Sequence, residues 1–207
     1  HWEKCNLESW FPLRAGRKVM ASLAYKTLTL LFLFAIEAGA ASLSDLSTRW
    51  IDTEKKSVTL AEVIGESPTL IAMVYTGCAH ACPMTIGKIE GILSEFEKIG
   101  VSNVKVILAS FDVKRDRPEK LKKYLQARKL DRKKWTLLAA DQDSHARELA
   151  VVLGINYKDL GNGDFSHSNV ITLLGPKGEI LAAIQSLNAD TEPLRKAVLE
   201  IKKHPLQ

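Results

Sequence analysis

Apolar runs and amphipathic stretches alternate along the chain between residues 70 and 203. Three of the runs are almost continuously apolar and rich in strand-forming residues, as expected of parallel strands that are buried on both faces. These runs cover residues 70–75, 104–110 and 135–139. After each run, apolar residues recur every three or four positions, which predicts amphipathic helices. The predicted helices begin at Pro83, at Pro118 and at Asp143 or Ser144, and Gly100 and Gly154 end the first and the third.

A hairpin and a last helix complete this pattern. The turn-forming sequence Gly-Pro-Lys-Gly at 175–178 separates two predicted strands, 170–174 and 180–184, and residues 191–203 predict the closing helix. The order of elements predicts an α/β fold, namely a thioredoxin-like three-layer sandwich with a central mixed sheet and inserted elements. In such sheets the chemistry lies where strands end and the following helices begin.

The first 40 residues do not share the pattern. Residues 1–19 precede the first Met and show no helix or strand period, so we interpret them as upstream translated or cloning-derived sequence. Residues 20–40 combine Lys26, an apolar run at 28–36 and the small residues Ala38 and Ala40, which is typical of a secretory signal peptide. The run is about half the ~20 residues that cross a bilayer, so a retained membrane anchor is the less favoured alternative. The working domain is predicted to cover residues 41–207.

Composition and charge narrow the class of protein. The chain has 207 residues, of which 46% are hydrophobic and 26% charged, as in one ordinary globular domain. Its formal net charge is +5, and removal of residues 1–40 would leave +3 because five basic and three acidic residues go with them. No dense basic face is interleaved with aromatic residues, so nucleic acid is not an expected partner.

The most informative motif is Cys-Ala-His-Ala-Cys-Pro at residues 78–83. Cysteines four positions apart at a helix start lie on one side of the turn with Cα atoms roughly 6 Å apart, which allows either a disulfide or shared chelation of a metal. The helix N-terminus also favours thiolates, the reactive and metal-binding form. Loss of Cys5 with the leader would leave Cys78 and Cys82 as the only thiols. A purely structural role as small buried residues is the alternative.

Two thiolates can bind Cu(I), and an imidazole would complete a trigonal site that suits both Cu(I) and Cu(II). His80 lies between the cysteines, but side chains two positions apart do not share a helix face, so it is expected to be exposed or to face a substrate. His145 is expected on a helix surface, and His204 lies in the tail. His167 precedes the hairpin in a predicted loop that, in a thioredoxin-type fold, returns to the cysteine turn. It is therefore the favoured third ligand.

Three segments together resemble the Sco/SenC family of copper-delivery proteins. Tyr-Thr-Gly-Cys-Ala-His-Ala-Cys-Pro at 75–83 is similar to the cysteine motif of that family, and Ser-Phe-Asp-Val-Lys-Arg-Asp-Arg-Pro at 110–118 is similar to its aspartate motif. His167, 85 residues after Cys82, resembles its histidine segment together with the hairpin at 175–178. The resemblance runs from about residue 49 to residue 203. Val113 and Arg117 depart from the residues common in the family, Pro and Thr, at positions away from the metal ligands.

The resemblance implies a copper metallochaperone. One copper ion per monomer, Cu(I) or Cu(II), would be bound by Cys78, Cys82 and His167 and delivered to the binuclear CuA-type site of cytochrome c oxidase. The expected partners are a copper-accepting oxidase subunit, a periplasmic copper donor and a thioredoxin-like reductase. The protein is expected to be a monomer, exported to the bacterial periplasm or the outer face of the inner membrane. Of the two aspartates in the 110–118 motif, Asp112 is expected to orient the cysteine loop or a partner. The alternative for both Asp112 and Asp116 is a local role as a loop or helix-cap carboxylate.

Other classes of function remain open at this stage. In a thiol-disulfide oxidoreductase, Cys78 and Cys82 would form a redox-active dithiol that reduces the metal-binding cysteines of an exported partner; a thiol peroxidase is a weaker candidate. A redox or copper sensor is the third class. Thioredoxin-like oxidoreductases carry a cis-Pro in the loop that faces the cysteines, whereas this chain has no proline between Pro118 and Pro176. That absence, with His167 in the loop, favours metal binding.

Overall fold

The computed structural model describes residues 42–203, which belong to one compact unit. The segment interpreted as upstream sequence, the predicted signal peptide and His204 lie outside the described residues. Between residues 42 and 203, no helix combines the length and the apolar character that a membrane crossing requires.

Nine strands and five α-helices are present in residues 42–203, with one turn of 3-10 helix at Leu43–Asp45. The strands are β1 (Arg49–Asp52), β2 (Ser57–Thr59), β3 (Thr69–Val74), β4 (Lys105–Ser110), β5 (Trp135–Ala140), β6 (Tyr157–Asp159), β7 (Phe165–His167), β8 (Ile171–Leu174) and β9 (Ile180–Ile184). The helices are α1 (Leu60–Ile64), α2 (Ala81–Lys98), α3 (Pro118–Ala127), α4 (Asp143–Val152) and α5 (Glu192–Lys203).

The main sheet is mixed and has seven strands in the order β2-β1-β5-β4-β3-β8-β9. Its centre is the parallel trio β5-β4-β3, and the outer strands pair antiparallel on both sides. Helices α3 and α4 contact β5, whereas α5 contacts β8, β9 and α2. This arrangement confirms the predicted thioredoxin-like α/β fold, and it brings the carboxyl ends of β3, β4 and β5 to one edge.

The elements predicted from apolar periodicity are present within one or two residues of their expected bounds. Strand β3 is buried along its whole length, as its continuous apolar run predicts. Helix α2 carries Pro83 in its first turn and buries the stripe of Ile86, Ile89, Ile92, Leu93 and Phe96. The hairpin turn closes with a 3.0 Å hydrogen bond from Gly178 N–H to the Gly175 carbonyl, and Gly178 takes a φ of 81° that favours glycine.

The predicted cap of α4 is wrong. Neither Asp143 nor Ser144 caps the helix, because α4 begins at Asp143 and its N-cap residue is Gln142, which makes no side-chain cap hydrogen bond. The Asp143 carboxylate instead accepts a 2.6 Å bond from Arg147 Nε one turn later. Helix assignments commonly shift by one or two residues at their ends, and here a local ion pair replaces the expected cap.

Five elements were not predicted. Strands β1 and β2 and helix α1 form an N-terminal extension of the sheet, in which Thr59 and Glu62 make a capping box at the start of α1. Strands β6 and β7 form a separate two-stranded antiparallel ribbon. His167, predicted in a loop, is the last residue of β7 and pairs with Tyr157. Strands of three residues carry too few alternating positions to be recognised by periodicity.

Candidate metal centre

The cysteines lie where β3 ends and α2 begins. Cys78 belongs to the loop between the two elements, and Cys82 is the second residue of the helix. The Cys82 backbone N–H donates a 3.2 Å hydrogen bond to Cys78 Sγ. A helix N-terminus leaves several N–H groups without an intrahelical partner, and this sulfur accepts a hydrogen bond from one of them. His80, the N-cap residue, makes no such bond with its side chain.

His167 reaches the cysteines from the end of β7. Its Nδ1 lies 3.1 Å from the Ser168 carbonyl oxygen. A carbonyl can only accept a hydrogen bond, so this contact requires a proton on Nδ1 and makes Nε2 the ring nitrogen that could bind a metal. The hydrogen bond thus determines which ring nitrogen of His167 a metal would use.

Cys78, Cys82 and His167 form a compact group of possible ligands. One ligand atom from each lies within 4.8 Å of the other two. Cys82 is fully buried, Cys78 is 9% exposed and His167 is half-buried. Among the described residues this is the group of at least three His, Cys, Asp or Glu side chains whose geometry could hold a metal ion. The structure therefore brings together the three residues that sequence analysis selected.

The two thiols differ in acidity although only four residues separate them. Burial raises the pKa of Cys78, but hydrogen bonds from the Cys82 backbone N–H and the His167 side chain more than offset it and bring the pKa down to about 7. Burial raises the pKa of Cys82 far above its usual range, a bond with the Tyr75 backbone lowers it in part, and the nearby Cys78 raises it again. In the metal-free protein, Cys78 is therefore the more acidic of the two thiols, and Cys82 stays protonated at neutral pH.

The cysteine loop is anchored by Asp116. This buried carboxylate accepts hydrogen bonds from the Thr76 backbone N–H, at 2.7 Å, from the Thr76 hydroxyl and from the Ser110 hydroxyl, at 2.7 Å. Lys120 Nζ lies 3.2 Å from it. Thr76 is two residues before Cys78, so these bonds hold the loop onto the end of β4.

Asp112 does not bind the cysteine loop but takes the role given as its alternative, that of a loop carboxylate, and its contact with a partner stays a prediction. The Asp112 carboxylate accepts bonds from Arg115, through the backbone N–H at 3.2 Å and Nε at 2.6 Å, and stays within its own turn. Both aspartates belong to the same motif and both are buried. Their spacing alone could not show which one points at the cysteine loop, because that depends on how the chain turns after β4.

Aromatic rings hold His167 against the sheet. Its ring centroid lies 5.3 Å from that of Phe111 and 6.0 Å from that of Tyr75. Phe165, two residues earlier on β7, packs on the same two rings at 5.1 Å each. Phe111 also stacks on Tyr157 at 4.8 Å, so both strands of the ribbon are attached. Sequence analysis missed this cluster; the available signal was the pair Tyr157 and Phe165 flanking the turn formers Gly161 and Gly163.

The other described histidines lie outside the group. His80 is exposed, as expected from its position between the cysteines. His145 is on the first turn of α4, where its Nδ1 lies 3.3 Å from the Arg49 backbone nitrogen and 3.1 Å from the Arg49 carbonyl oxygen.

Comparison with known proteins links this geometry to one family. The family model described as SCO1/SenC matches residues 45–203. A search of curated proteins finds no match.

Solved structures share the fold. ScoI from Arabidopsis thaliana with copper bound is 18% identical, with a TM-score of 0.65 over 81% of this chain and 100% of that one. ScoI from Bradyrhizobium japonicum with copper bound is 24% identical, with a TM-score of 0.57 over 76% and 96%. BsSco, described as a member of the Sco family of cytochrome c oxidase assembly proteins, is 21% identical, with a TM-score of 0.62 over 79% and 94%.

Proposed function

The chain belongs to the SCO1/SenC family, and from that premise we propose that it binds one copper ion through Cys78, Cys82 and His167 and acts in cytochrome c oxidase assembly. The ion is its cargo, delivered to the binuclear CuA-type site of an oxidase subunit. The observation that carries the proposal is the cluster of two sulfurs and one imidazole nitrogen within 4.8 Å of one another.

The donor set favours copper over other metals. Thiolate sulfur and imidazole nitrogen are soft to intermediate ligands, which select copper or zinc and disfavour Mg²⁺ and Ca²⁺. A structural zinc site almost always has four protein ligands, whereas this group offers three among the described residues. Three ligands suit Cu(I) and leave one side open, as an ion that must be passed on requires. The copper-bound ScoI structures support this choice.

The family and one relative support the choice of target. BsSco is described as belonging to a family of cytochrome c oxidase assembly proteins. An oxidase subunit that accepts copper is accordingly the proposed main partner, with a copper donor and a thioredoxin-like reductase that keeps Cys78 and Cys82 reduced. The working unit in this proposal is a monomer.

A thiol-disulfide oxidoreductase is the second candidate, and the unequal pKa values of the two thiols favour it. The Cys78 thiolate would attack a disulfide of the partner, forming a mixed disulfide and releasing one partner thiolate. Cys82, after losing its proton to solvent, would then attack Cys78 Sγ and release the second partner thiolate. Two electrons pass to the partner, and the chain retains a disulfide between Cys78 and Cys82.

The two functions are separated by His167→Ala. Even groups outside the ligand set typically contribute about 10- to 100-fold to metal affinity, so loss of this ligand should lower the affinity for copper at least about 100-fold. Thiol exchange, which needs only thiolates and access, should change modestly. The matched control is His145→Ala, which removes an imidazole outside the group.

The measurement is an anaerobic copper titration of the reduced protein with metal counting, together with oxidase assembly in cells that lack the native protein. One tightly bound copper per chain in the unsubstituted protein and none in His167→Ala supports copper delivery. Full oxidase activity in cells that carry His167→Ala, with loss of activity in Cys78→Ser and Cys82→Ser, contradicts copper delivery and favours the reductase.

We further propose that the protein is exported to the periplasm or the outer face of the inner membrane and that residues 20–40 are removed. Ala38 and Ala40 satisfy the small-residue cleavage pattern, so the mature N-terminus should fall near Ala41 or Ser42. Mass spectrometry of the protein recovered from cells measures this directly. A chain that begins at Met20 and sediments with membranes would show that the apolar run is an anchor.

A further inference from the structure

Incoming copper has little direct access to the proposed ligands. Cys82 is fully buried, Cys78 is 9% exposed and His167 is half-buried. Copper passes between proteins by exchange of ligands, in which a new ligand must contact the ion before the old ones leave. The first contact with a copper donor therefore requires an exposed ligand near the buried thiols.

Two exposed side chains with donor atoms that suit Cu(I) lie beside the cysteines at the start of α2. His80 is exposed, and Met84 is 59% exposed, so packing in the core does not account for this methionine. The Met84 backbone N–H points at the His80 carbonyl oxygen, at 3.5 Å, which places the two residues one turn apart. His80 is the N-cap residue of α2 and Met84 lies in its first turn, so both side chains are at the start of the helix. Thioether sulfur and imidazole nitrogen are both ligands that Cu(I) accepts.

His80 and Met84 also line one cavity beside the candidate metal centre. The cavity measures about 520 Å³, and its other walls are Ala81 and residues 168–169 and 185–188. Residues 168–169 directly follow His167, so the cavity adjoins the third proposed ligand. None of the described residues that line it is an Asp, Glu, Lys or Arg. The cavity offers hard cations such as Mg²⁺ and Ca²⁺ only neutral amide and hydroxyl oxygens, whereas the thioether and the imidazole are ligands suited to Cu(I).

We propose that His80 and Met84, the outer pair, form a second and weaker Cu(I) site that receives the ion from a donor and passes it inward. The inference rests on the proposed function, because it supplies the route to Cys78, Cys82 and His167. During transfer, the bonds from Cu(I) to Met84 Sδ and the His80 imidazole break while bonds to Cys78 Sγ, Cys82 Sγ and His167 Nε2 form. Copper remains Cu(I), no electron is transferred, and the protons on the thiols go to solvent.

The first test is the rate of copper uptake. The reduced protein is mixed anaerobically with the Cu(I) complex of bathocuproine disulfonate, and loss of the coloured complex is followed by stopped flow. Met84→Leu keeps the size and apolar character of the side chain but removes the sulfur. We expect about tenfold slower uptake in Met84→Leu and in His80→Ala, with the same final copper content, since substitutions at one binding surface change on-rates by about one to three orders of magnitude.

A matched control tests whether the rate of copper uptake depends on where the exposed thioether lies or only on there being one. Val151 is another exposed apolar residue, 79% exposed, and it does not line the cavity. Adding Val151→Met to Met84→Leu restores the number of exposed thioethers but not their place, so uptake should stay slow. Recovery of the full rate in that double variant overturns the outer pair as a site.

The second test removes the inner ligands. In Cys78→Ser/Cys82→Ser/His167→Ala, one weakly bound Cu(I) should remain by chelator competition, and adding Met84→Leu should abolish it. If Met84→Leu and His80→Ala take up copper as fast as the unsubstituted protein, the outer pair is not a copper site, but the proposed function still stands. Failure of the unsubstituted protein to take up Cu(I) overturns both.

Discussion

At the scale of single residues, the candidate metal centre contains two thiols whose pKa values are shifted in opposite directions. Cys78 accepts hydrogen bonds from the Cys82 backbone N–H and from His167, and these lower the pKa of Cys78 to about 7. Burial raises the pKa of Cys82, and its hydrogen bond with the Tyr75 backbone offsets only part of that rise. Both residues have the same side chain and lie in the same motif, so the difference arises from their surroundings alone. Cys78 is acidic enough to react at neutral pH, whereas Cys82 would become a thiolate only if a bound metal displaced its proton.

Alkylation should show this asymmetry. We expect iodoacetamide to modify Cys78 much faster than Cys82 in the folded, metal-free protein, because only the thiolate attacks and Cys82 is buried. The rate at Cys78 should rise as pH increases through about 7 and level off above it. Peptide mapping by mass spectrometry measures both sites. In urea, both cysteines should react alike, with the pH dependence of an ordinary thiol, and equal rates in the folded protein would contradict the assignment.

Asp116 should matter more to the metal centre than Asp112. Asp116→Asn retains the shape of the side chain but removes one acceptor from a buried group that serves Thr76 and Ser110, and leaving such partners unsatisfied typically costs about 1–3 kcal/mol. We expect urea unfolding at a lower midpoint and weaker copper binding by chelator competition. Asp112→Asn is the matched control, because its partner is Arg115 and copper affinity should be nearly unchanged. The reverse order of effects would show that Asp112 supports the loop.

At the scale of secondary structure elements, the β6–β7 ribbon positions the proposed third ligand. Each of its strands has three residues, and it forms a sheet of its own. An isolated two-stranded ribbon is marginally stable in water. Its position therefore depends on side-chain packing, above all on Phe165 and Tyr157 against Phe111. His167 is held at the cysteines by aromatic contacts rather than by the hydrogen bonds of the main sheet.

Truncation of Phe165 should consequently weaken copper binding while every ligand remains present. Aromatic pairs of this kind contribute about 0.5–1.5 kcal/mol each beyond the burial of their area, and Phe165→Ala removes contacts with Tyr75 and Phe111. We expect copper affinity to fall about tenfold or more, measured by chelator competition. Leu160→Ala, at an exposed residue following β6, is the control and should leave the affinity unchanged. Equal affinities in the two variants would show that the ribbon holds His167 without the aromatic cluster.

At the scale of the whole molecule, a bound copper ion would join distant parts of the chain. Cys82 is in α2, and His167 is 85 residues later, beyond two further strands of the main sheet. The unfolded chain does not hold these ligands together, so an ion that binds the folded form stabilises it. Copper loading and folding are therefore expected to be linked.

Thermal unfolding should report this linkage. With free Cu(I) buffered at 100 times the dissociation constant, the free energy of unfolding should increase by about 2.7 kcal/mol, which is visible as a higher midpoint temperature. At the same copper concentration, His167→Ala should gain much less, whereas His145→Ala should gain as much as the unsubstituted protein. Equal stabilisation of all three proteins would exclude His167 as a ligand.

The apolar periodicity was sufficient to predict the main helices and the central strands. Helices such as α2 show buried residues three or four positions apart, whereas central strands such as β3 are short, continuously buried runs. The short elements β1, β2, α1, β6 and β7 escaped prediction because three to five residues carry no measurable period. The N-cap of α4 was misplaced because two adjacent polar residues compete for that role.

The sequence by itself determined the fold class, the family resemblance and the pairing of Cys78 with Cys82, because these depend on local patterns and on spacing within one helical turn. Tertiary structure decided what depends on separated segments. It placed His167, rather than His80 or His145, close to the cysteines. It made Asp116, rather than Asp112, the residue that binds the cysteine loop, and it shifted the pKa values of the two thiols in opposite directions. The physical reason is that hydrogen bonds, burial and charge act between residues that are close in space. The loops that bring these residues together have no regular spacing of apolar residues from which their course could be predicted.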